Sequence, residues 1–472
     1  MPGSVTRNLV IVIPDTLRTL DGVSGFSPSR DVPFIAGVAG RSVRFSGAVA
    51  SGAWTFPSHA SLLLGTESWR KDRAWGNGNG SGTTSIARAW AEAGGETVAF
   101  SLNPFVTNRN GILRDYDEFR DRWTNDLGTL AWQISRPVDL LLNFLGAWSL
   151  PDTNDHRKDR TPRGLAVRPL YRFTEGAAQV LCLARAPLFN SDRLLHQLSR
   201  FLRDRRSHRG LHVLINLMDA HEPYPLPRSP RTTALEAGTV PTWNLGPHST
   251  NLSRASRAGN AAQAGYLSAV RGLDSTLANL FDLLRKHSIL PDASVWIASD
   301  HGQSLGENGE YGHGQSLSDE VVRVPVFAWR PRNGSPGSEP RDIATALDHR
   351  HLHDLIVDSI LAPDRPLEAG IPGVVEKRGP ATSYLQVRRA VGPGPMVREP
   401  LTRYVRMWDD GSQVAAHQRV GGPSITVDSQ RGDGAPSLQT AVRNLLRNAN
   451  EHGDLAEVED DVASRLTSWG YV

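Results

Sequence analysis

Cysteine is almost absent: Cys182 is the single one in 472 residues. A disulfide within the chain and a thiolate metal cluster are both excluded, and Cys182 reads as a small buried hydrophobe. Long apolar runs are missing too. None approaches the roughly 20 residues that a membrane-spanning helix needs. The run Leu9 to Ile13 is too short for a signal-peptide core, and no cleavage-like segment follows it. Val138 to Trp148 is broken by Asp139 and Asn143, and reads as an amphipathic helix packed on the body of the protein, with a membrane surface as the alternative seat. No integral membrane segment is expected, and the default address is the cytoplasm. Charge of one sign is scarce as well: 52 basic against 49 acidic residues leave +3. No basic run is interleaved with aromatics, so no nucleic-acid partner is expected. The densest basic stretch, Arg157 to Arg163, holds Asp159 and Pro162 and reads as a solvated loop.

What is present is a repeated design. Leu9 to Ile13 runs into Asp15, Leu211 to Leu217 into Asp219 and His221, and Ser294 to Ala298 into Asp300 and His301. Apolar, largely β-branched runs of this length suit strands buried on both faces, as in a parallel sheet. Helical patterns lie between them: Thr84 to Glu92, ended by Gly94 and Gly95; Ser191 to Arg203; and Ala262 to Lys286, with Tyr266, Val270, Leu273, Leu277 and Leu280 on one face. Strands alternating with helices imply an α/β fold with a doubly wound, mainly parallel sheet flanked by helices. Ligands in such folds bind beyond the carboxyl ends of the strands. The three runs would gather Asp15, Asp219, His221, Asp300 and His301 on that rim. Each alone reads as well as a turn former or helix cap; the threefold coincidence argues for a site.

Past about residue 376 the pattern changes. Arg403 to Trp408 and Ser412 to Ala416 flank Asp409-Asp410-Gly411, a hairpin with an Asp-Gly turn. Helical patterns at Ser437 to Ala449 and Ala456 to Ser468 follow. A catalytic domain over 1–375 and a smaller C-terminal α+β subdomain over 376–472 are expected, divided in the Gly- and Pro-rich region Gly370 to Gly379. Residues 127–190 and 228–250 read as insertions, the second a candidate for shaping a substrate site. The Gly-rich stretch Gly76 to Gly82 lacks the Gly-Lys-Ser/Thr ending of a phosphate-binding loop. Ser58 and Ser304 lie outside any Gly-x-Ser-x-Gly.

The most informative segment is Ser51-Gly-Ala-Trp-Thr-Phe-Pro-Ser-His-Ala-Ser-Leu-Leu-Leu-Gly65. Ser58 to Leu64 reads as a helix, with Pro57 in its first turn and Thr55 near its N-cap. A helix N-terminus turns N–H groups and partial positive charge toward an anion. Thr55 reads equally as a hydroxyl facing a bound phosphate or sulfate and as an ordinary cap.

Around it stand Asp15-Thr16-Leu17-Arg18, Met218-Asp-Ala-His-Glu-Pro-Tyr224, Ser299-Asp-His-Gly302 and Leu305-Gly-Glu-Asn-Gly-Glu-Tyr-Gly-His-Gly314. Together these motifs resemble the sulfatase-like branch of the alkaline phosphatase superfamily, in the right order and over most of the chain, to the closing Leu466-Thr-Ser-Trp-Gly-Tyr471. The resemblance implies an alkaline-phosphatase-like fold and one divalent metal ion on Asp15, Asp300 and His301, with Thr55 Oγ where nucleophile meets metal. Mn or Zn is favoured for that donor set, with Ca or Mg compatible. His221 and His313 match positions where the family binds ester oxygens or protonates the leaving group. His59 and Arg18 are candidates to clamp the anion, and Arg18 equally a salt-bridge partner.

The sequence departs from sulfatases proper. They carry Cys or Ser where Thr55 stands and convert it to formylglycine; threonine cannot give that aldehyde, because its β-carbon carries a methyl group. They commonly have Arg where His59 stands, a second Asp at Pro14, and often Asn at His301. Threonine at the nucleophile position resembles phosphoethanolamine and phosphoglycerol transferases and related phosphohydrolases. That implies phosphoryl chemistry through a phospho-Thr intermediate. Those transferases are usually membrane-anchored and extracytoplasmic, so the expectation here is a soluble phosphodiesterase or phosphonate-ester hydrolase acting on a small phosphate ester. The alternatives are a sulfate-ester hydrolase with unmodified Thr55, and a binding protein that has lost turnover. The last predicts missing ligand positions, and all of them are filled.

Overall fold

The computed structural model of the chain describes residues 7–20, 26–67, 84–121, 191–221, 224, 252–329, 340–387 and 402–451, apart from 104, 109–110, 308–309, 410 and 420–423. Cys182, the stretches 76–82, 127–190 and 228–250, and the expected helix at 456–468 lie outside these residues.

Among the described residues sixteen strands are formed, several of them short. In chain order they are β1 (Asn8–Pro14), β2 (Val43–Arg44), β3 (Ala48–Val49), β4 (Glu96–Ser101), β5 (Glu118–Asp121), β6 (Leu211–Leu217), β7 (Ala293–Ala298), β8 (Ser304–Leu305), β9 (Tyr311–Gly312), β10 (Val326–Trp329), β11 (Arg341–Asp342), β12 (Leu347–Asp348), β13 (Ala381–Val387), β14 (Thr402–Asp409), β15 (Ser412–Arg419) and β16 (Ile425–Arg431). Eight of them make the main sheet, in the order β11-β2-β10-β7-β1-β6-β4-β5. Its middle, β7-β1-β6-β4-β5, is parallel throughout, and β10 runs antiparallel beside β7.

The three apolar runs are β1, β6 and β7, side by side at the centre. Alternation along each strand divides its side chains between two layers. Leu9, Ile11, Ile13, Leu214, Trp296 and Ala298 pack with the helices Thr55–Leu64, Ile86–Glu92 and His349–Leu361. Val10, Val12, Val213, Ile215, Val295 and Ile297 pack on the other face with the helices Ser191–Asp204 and Leu252–Lys286. The expected stripe Tyr266, Val270, Leu273, Leu277 and Leu280 is fully buried there. Helices on both faces of a mostly parallel sheet are the doubly wound architecture read from the sequence.

A second sheet, β13-β14-β15-β16, is antiparallel. The Asp-Gly turn is its β14–β15 hairpin: Asp409 pairs with Ser412, and Gly411 takes the left-handed φ of +80° that such a turn needs. The helix Ala435–Glu451 covers this sheet through Leu438, Val442 and Leu446. Residues 375 and 376, the expected boundary, lie inside the helix Ile371–Arg378. The first strand of the C-terminal sheet reaches back to the large domain: Tyr384 N–H donates to Ser51 O at 3.0 Å, and Ser383 Oγ to Ala50 O.

Candidate active site

The parallel register brings the ends of β1, β6 and β7 to one edge. Pro14 lies opposite Leu217, and Asp15 N–H continues the ladder to Leu217 O at 2.8 Å. Ser299 fastens the neighbouring end: its hydroxyl lies 2.8 Å from Pro14 O and 2.9 Å from His301 O. Thr16 adopts a left-handed φ of +59°, rare for a β-branched residue. That conformation delivers its N–H to Asp300 Oδ1 at 3.2 Å, where His301 N–H also donates at 2.8 Å. One oxygen of Asp300 is thus held by backbone and the other is turned inward.

Asp15, Asp300 and His301 form a buried cluster whose ligand atoms all lie within 4.8 Å of one another. Asp15 Oδ1 and Asp300 Oδ2 are buried with no hydrogen-bond partner among the described residues. Orphaned carboxylate oxygens are costly in a protein interior. Burial, reinforced by the Asp300 charge, pushes Asp15 up to about 7, and burial pushes Asp300 up to about 7. His301 completes the set. Its Nδ1–H donates to Gly302 O at 3.0 Å, which directs the Nε2 lone pair toward the acids, 3.4 Å from Asp300 Oδ2 and 3.9 Å from Asp15 Oδ1. A backbone acceptor on the far nitrogen is the usual device for orienting a metal-ligating imidazole. These three residues fit a divalent cation.

Thr55 is the first residue of the fully buried helix Thr55–Leu64, after Trp54 in extended conformation as N-cap. It stands one position inside the expected capping place, with Pro57 third. Among the described residues no side chain caps this end, so the helix terminus retains its pull on an anion. Thr55 Oγ1 lies 3.5 Å from Asp15 Oδ2 and 3.4 Å from His301 Nε2. The structure therefore brings all four expected residues of the metal centre together.

The remaining expected residues divide. His313 joins the cluster, its ring centroid 4.4 Å from that of His301 and 5.1 Å from that of His221. Burial, then the neighbouring imidazoles, holds His313 well below the usual range. It is therefore neutral, and its Nδ1–H donates to Gln303 Oε1 at 2.6 Å. Half-buried His221 stands near enough to lower both carboxylates' pKa. Arg18 is engaged in a salt bridge, 2.7 Å from Glu307, and also donates to Gln303 O at 3.1 Å. His59 lies against the cluster, with both ring nitrogens near protein atoms. It is fully buried, its Nδ1 3.0 Å from Thr55 O and 3.4 Å from Asp300 Oδ2, its Nε2 3.2 Å from the Asn216 amide. Burial depresses its pKa to about 3, so it is uncharged. Asp219, expected on the same rim, binds elsewhere: Ser191 Oγ donates to one oxygen and Thr276 Oγ1 to the other, tying two helices to the sheet.

A sequence model of the sulfatase family matches residues 7–361, the stretch that carries every site residue named above. The chain belongs to the sulfatase family. Among solved structures, phosphonate monoester hydrolase SpPMH from Silicibacter pomeroyi shares the fold with a TM-score of 0.55 at 16% identity, over 96% of this chain and 97% of that one. BT4656, solved in complex with its substrate D-glucosamine-2-N,6-O-disulfate, shares it with a TM-score of 0.56 at 11% identity, over 96% and 99% of the two chains. Phosphatidylethanolamine transferase Mcr-1 of Escherichia coli is 37% identical over 99 residues, 20% of this chain; the match spans 17% of that relative's length.

Within this sulfatase-family site, sequence reasoning missed Asn103. It lies two residues past the end of β4, as Asp300 lies two past the end of β7. That offset was the available signal. Its Nδ2 donates to Asp15 Oδ2 at 2.5 Å and sits 3.3 Å from Thr55 Oγ1. Asn216, inside β6, was hidden among apolar neighbours; it accepts from Ser101 Oγ at 3.3 Å and donates to Ile13 O at 3.3 Å, which aims its amide nitrogen at His59. Pro14 contributes its carbonyl, which accepts from Ser299 Oγ at 2.8 Å.

Proposed function

We propose that this sulfatase-family chain is a metal-dependent hydrolase or transferase of phosphate esters, with Thr55 as nucleophile and a phosphodiester as the favoured substrate. The observation that carries the reading is the seat of the Thr55 hydroxyl, at a helix N-terminus and within 3.5 Å of Asp15, His301 and the Asn103 amide.

A divalent cation held by Asp15, Asp300 and His301 would supply Lewis acidity beside Thr55. The protein's groups do the rest. The first turn of the helix and the Asn103 amide bind the non-bridging oxygens of the ester. Thr55 Oγ1 forms a bond to phosphorus, its proton passing to neutral His313, while the ester P–O bond breaks and the departing oxygen takes a proton from His221. Water or an acceptor alcohol then attacks the phospho-Thr, returning a proton to His221; the P–O bond to Thr55 breaks and His313 reprotonates the hydroxyl.

Charge favours a diester. The guanidinium expected at the site, Arg18, is already neutralised by Glu307, which suits a monoanionic ester better than a monoester dianion. The β-carbon argument supports phosphoryl over sulfuryl transfer, since Thr55 yields no formylglycine. The test is turnover of a chromogenic phosphodiester, a phosphomonoester and a sulfate ester by Mn-loaded protein, with Thr55→Ala alongside. Phosphodiester turnover lost in the variant supports the reading. Thr55-dependent turnover of the sulfate ester alone would replace it with a sulfatase lacking formylglycine.

A further inference from the structure

His349 opens the helix His349–Leu361 and is fully buried, outside the cluster just described. Its two ring nitrogens reach two different loops. Nε2 lies 3.0 Å from the carbonyl oxygen of Ser299, the residue before Asp300. Nδ1 lies 3.4 Å from the backbone nitrogen of Ser51, four residues before Thr55. A carbonyl only accepts and an amide N–H only donates, so the tautomer is dictated: the proton sits on Nε2 and Nδ1 accepts. An imidazolium would set two N–H groups against each other at Ser51. Burial, the largest influence, depresses the pKa of His349 to about 4 and keeps the ring neutral.

Each end of this tie is fastened further. Ser51 O accepts from Tyr384 N–H, and Gly52 O accepts from Ser58 Oγ at 3.1 Å, within the Thr55 helix. Ser299 Oγ clamps Pro14 and His301. The start of the His349 helix is itself fixed by Asp348, whose carboxylate accepts from the backbone N–H groups of Arg350 and His351 and, at 2.8 Å, from Thr382 N–H in the C-terminal sheet. Both nitrogens of this buried ring are satisfied by backbone atoms of two different loops, those that lead to Thr55 and to Asp300, so the ring joins them.

We infer that His349 is a positioning residue: a neutral imidazole tie that sets the distance between the Thr55 loop and the Asp300–His301 loop. It rests on the reading of Thr55 as nucleophile, and the experiment separates the two. His349→Phe keeps a ring of similar size and neither hydrogen bond. His349→Gln keeps a donor and an acceptor on one planar group. Turnover of the chromogenic phosphodiester and titration with Mn2+ are measured on wild type and both variants, with thermal melting to confirm folding.

The expected result for His349→Phe is a kcat lower by about 10- to 100-fold with KM within about threefold, and Mn2+ binding weaker by about tenfold. His349→Gln is expected to recover most of both. A merely structural role would lower the melting temperature and leave kcat per folded molecule unchanged. Unchanged kcat and Mn2+ affinity in His349→Phe, or equal losses in the two folded variants, overturns the inference. If His349→Phe does not fold, His349→Met replaces it as the variant without hydrogen bonds. If wild type turns over no ester, the Thr55 reading fails, and the Mn2+ titration alone decides the tie.

Discussion

Asn103 donates to Asp15 across 2.5 Å, and the same amide nitrogen lies 3.3 Å from Thr55 Oγ1. Phe105 settles which end of the amide faces them, because its N–H donates to Asn103 Oδ1 at 2.7 Å. The NH2 group is therefore aimed at a proposed cation ligand and at the proposed nucleophile. Asn103→Ala removes a preorganised donor, with its hydrogen bond to Asp15 Oδ2, and leaves the side chains of Asp15, Asp300 and His301 in place. A loss of about 100-fold in kcat/KM is expected, with Mn2+ still bound at one per chain. Steady-state kinetics together with metal analysis of the same sample checks both halves.

The two buried carboxylates give the cation-free protein a pH dependence of definite sign. Asp15 and Asp300 are both raised to about 7, against about 3.9 in an unfolded chain. A raised carboxylate favours folding fully below the unfolded value and loses that contribution as pH climbs through the folded one. Chelator-treated protein should therefore lose stability between about pH 4 and 8 from these groups, and Mn2+ should restore it most at the upper end. Asp300→Asn removes one buried charge while its Oδ1 still accepts from Thr16 and His301. Its melting temperature without metal is expected to rise at pH 8 by about 2 °C, with Mn2+ affinity down by about 100-fold or more. Melting curves at several pH values with and without Mn2+ test this; a cation-free Asp300→Asn that melts below wild type at pH 8 contradicts it.

Asp219 supplies a prediction of the opposite kind. Its position past β6 matches that of Asp300 past β7, yet both its oxygens accept hydroxyl hydrogens from helices. Asp219→Ala should cost about 1–3 kcal/mol of stability, the usual penalty for stranding buried donors. Turnover per folded molecule should stay within about twofold of wild type. A loss of kcat of the size predicted for Asn103→Ala would put Asp219 back in the site.

The residues of the site also show where the sequence stops being legible. Asp15, Asp300 and His301 were readable because each follows a run so apolar that its strand is unmistakable, and the parallel sheet then puts the strand ends together. Asn103 follows Glu96–Ser101, whose Thr97 and Ser101 dilute the apolar signal, and an Asn after a strand reads as a turn former. Asp219 was misplaced because spacing fixes which edge a residue occupies and not which way its side chain turns; that is decided by Ser191 and Thr276, which are distant in sequence. His349 left no trace at all, since its partners are backbone atoms of Ser51 and Ser299, and backbone carries no sequence signal.

Gly52 lies between the His349 tie and Thr55. A Cβ there would sit 2.8 Å from Pro57 Cγ and 3.1 Å from Pro57 Cβ. The proline ring belongs to the first turn of the Thr55 helix and cannot swing aside, so Gly52→Ala must move the loop against the helix. Overpacking of this kind costs about 1–3 kcal/mol. Because the displaced atoms carry the proposed nucleophile, kcat should fall by about 10- to 100-fold in protein that remains folded. Kinetics at a temperature well below the measured melting point separates the two effects.

Substitution at Thr55 itself separates nucleophile from metal ligand. The hydroxyl is 3.4 Å from His301 Nε2 and 3.5 Å from Asp15 Oδ2, so it stands beside the cation cluster without being one of its three charged or imidazole donors. Thr55→Val keeps the branched shape and removes the oxygen. Thr55→Ser keeps the oxygen and removes the methyl group. If Thr55 Oγ1 forms the covalent intermediate, Thr55→Val should lose at least about 1000-fold in kcat while still binding Mn2+ at one per chain. Thr55→Ser should retain turnover within about tenfold, and its intermediate should be trapped as a phosphoserine on rapid acid quench, visible as added mass on the peptide that spans the residue. A Thr55→Val enzyme that keeps turnover would move the attacking oxygen to water, and a phosphorylated peptide elsewhere would name the residue that replaces it.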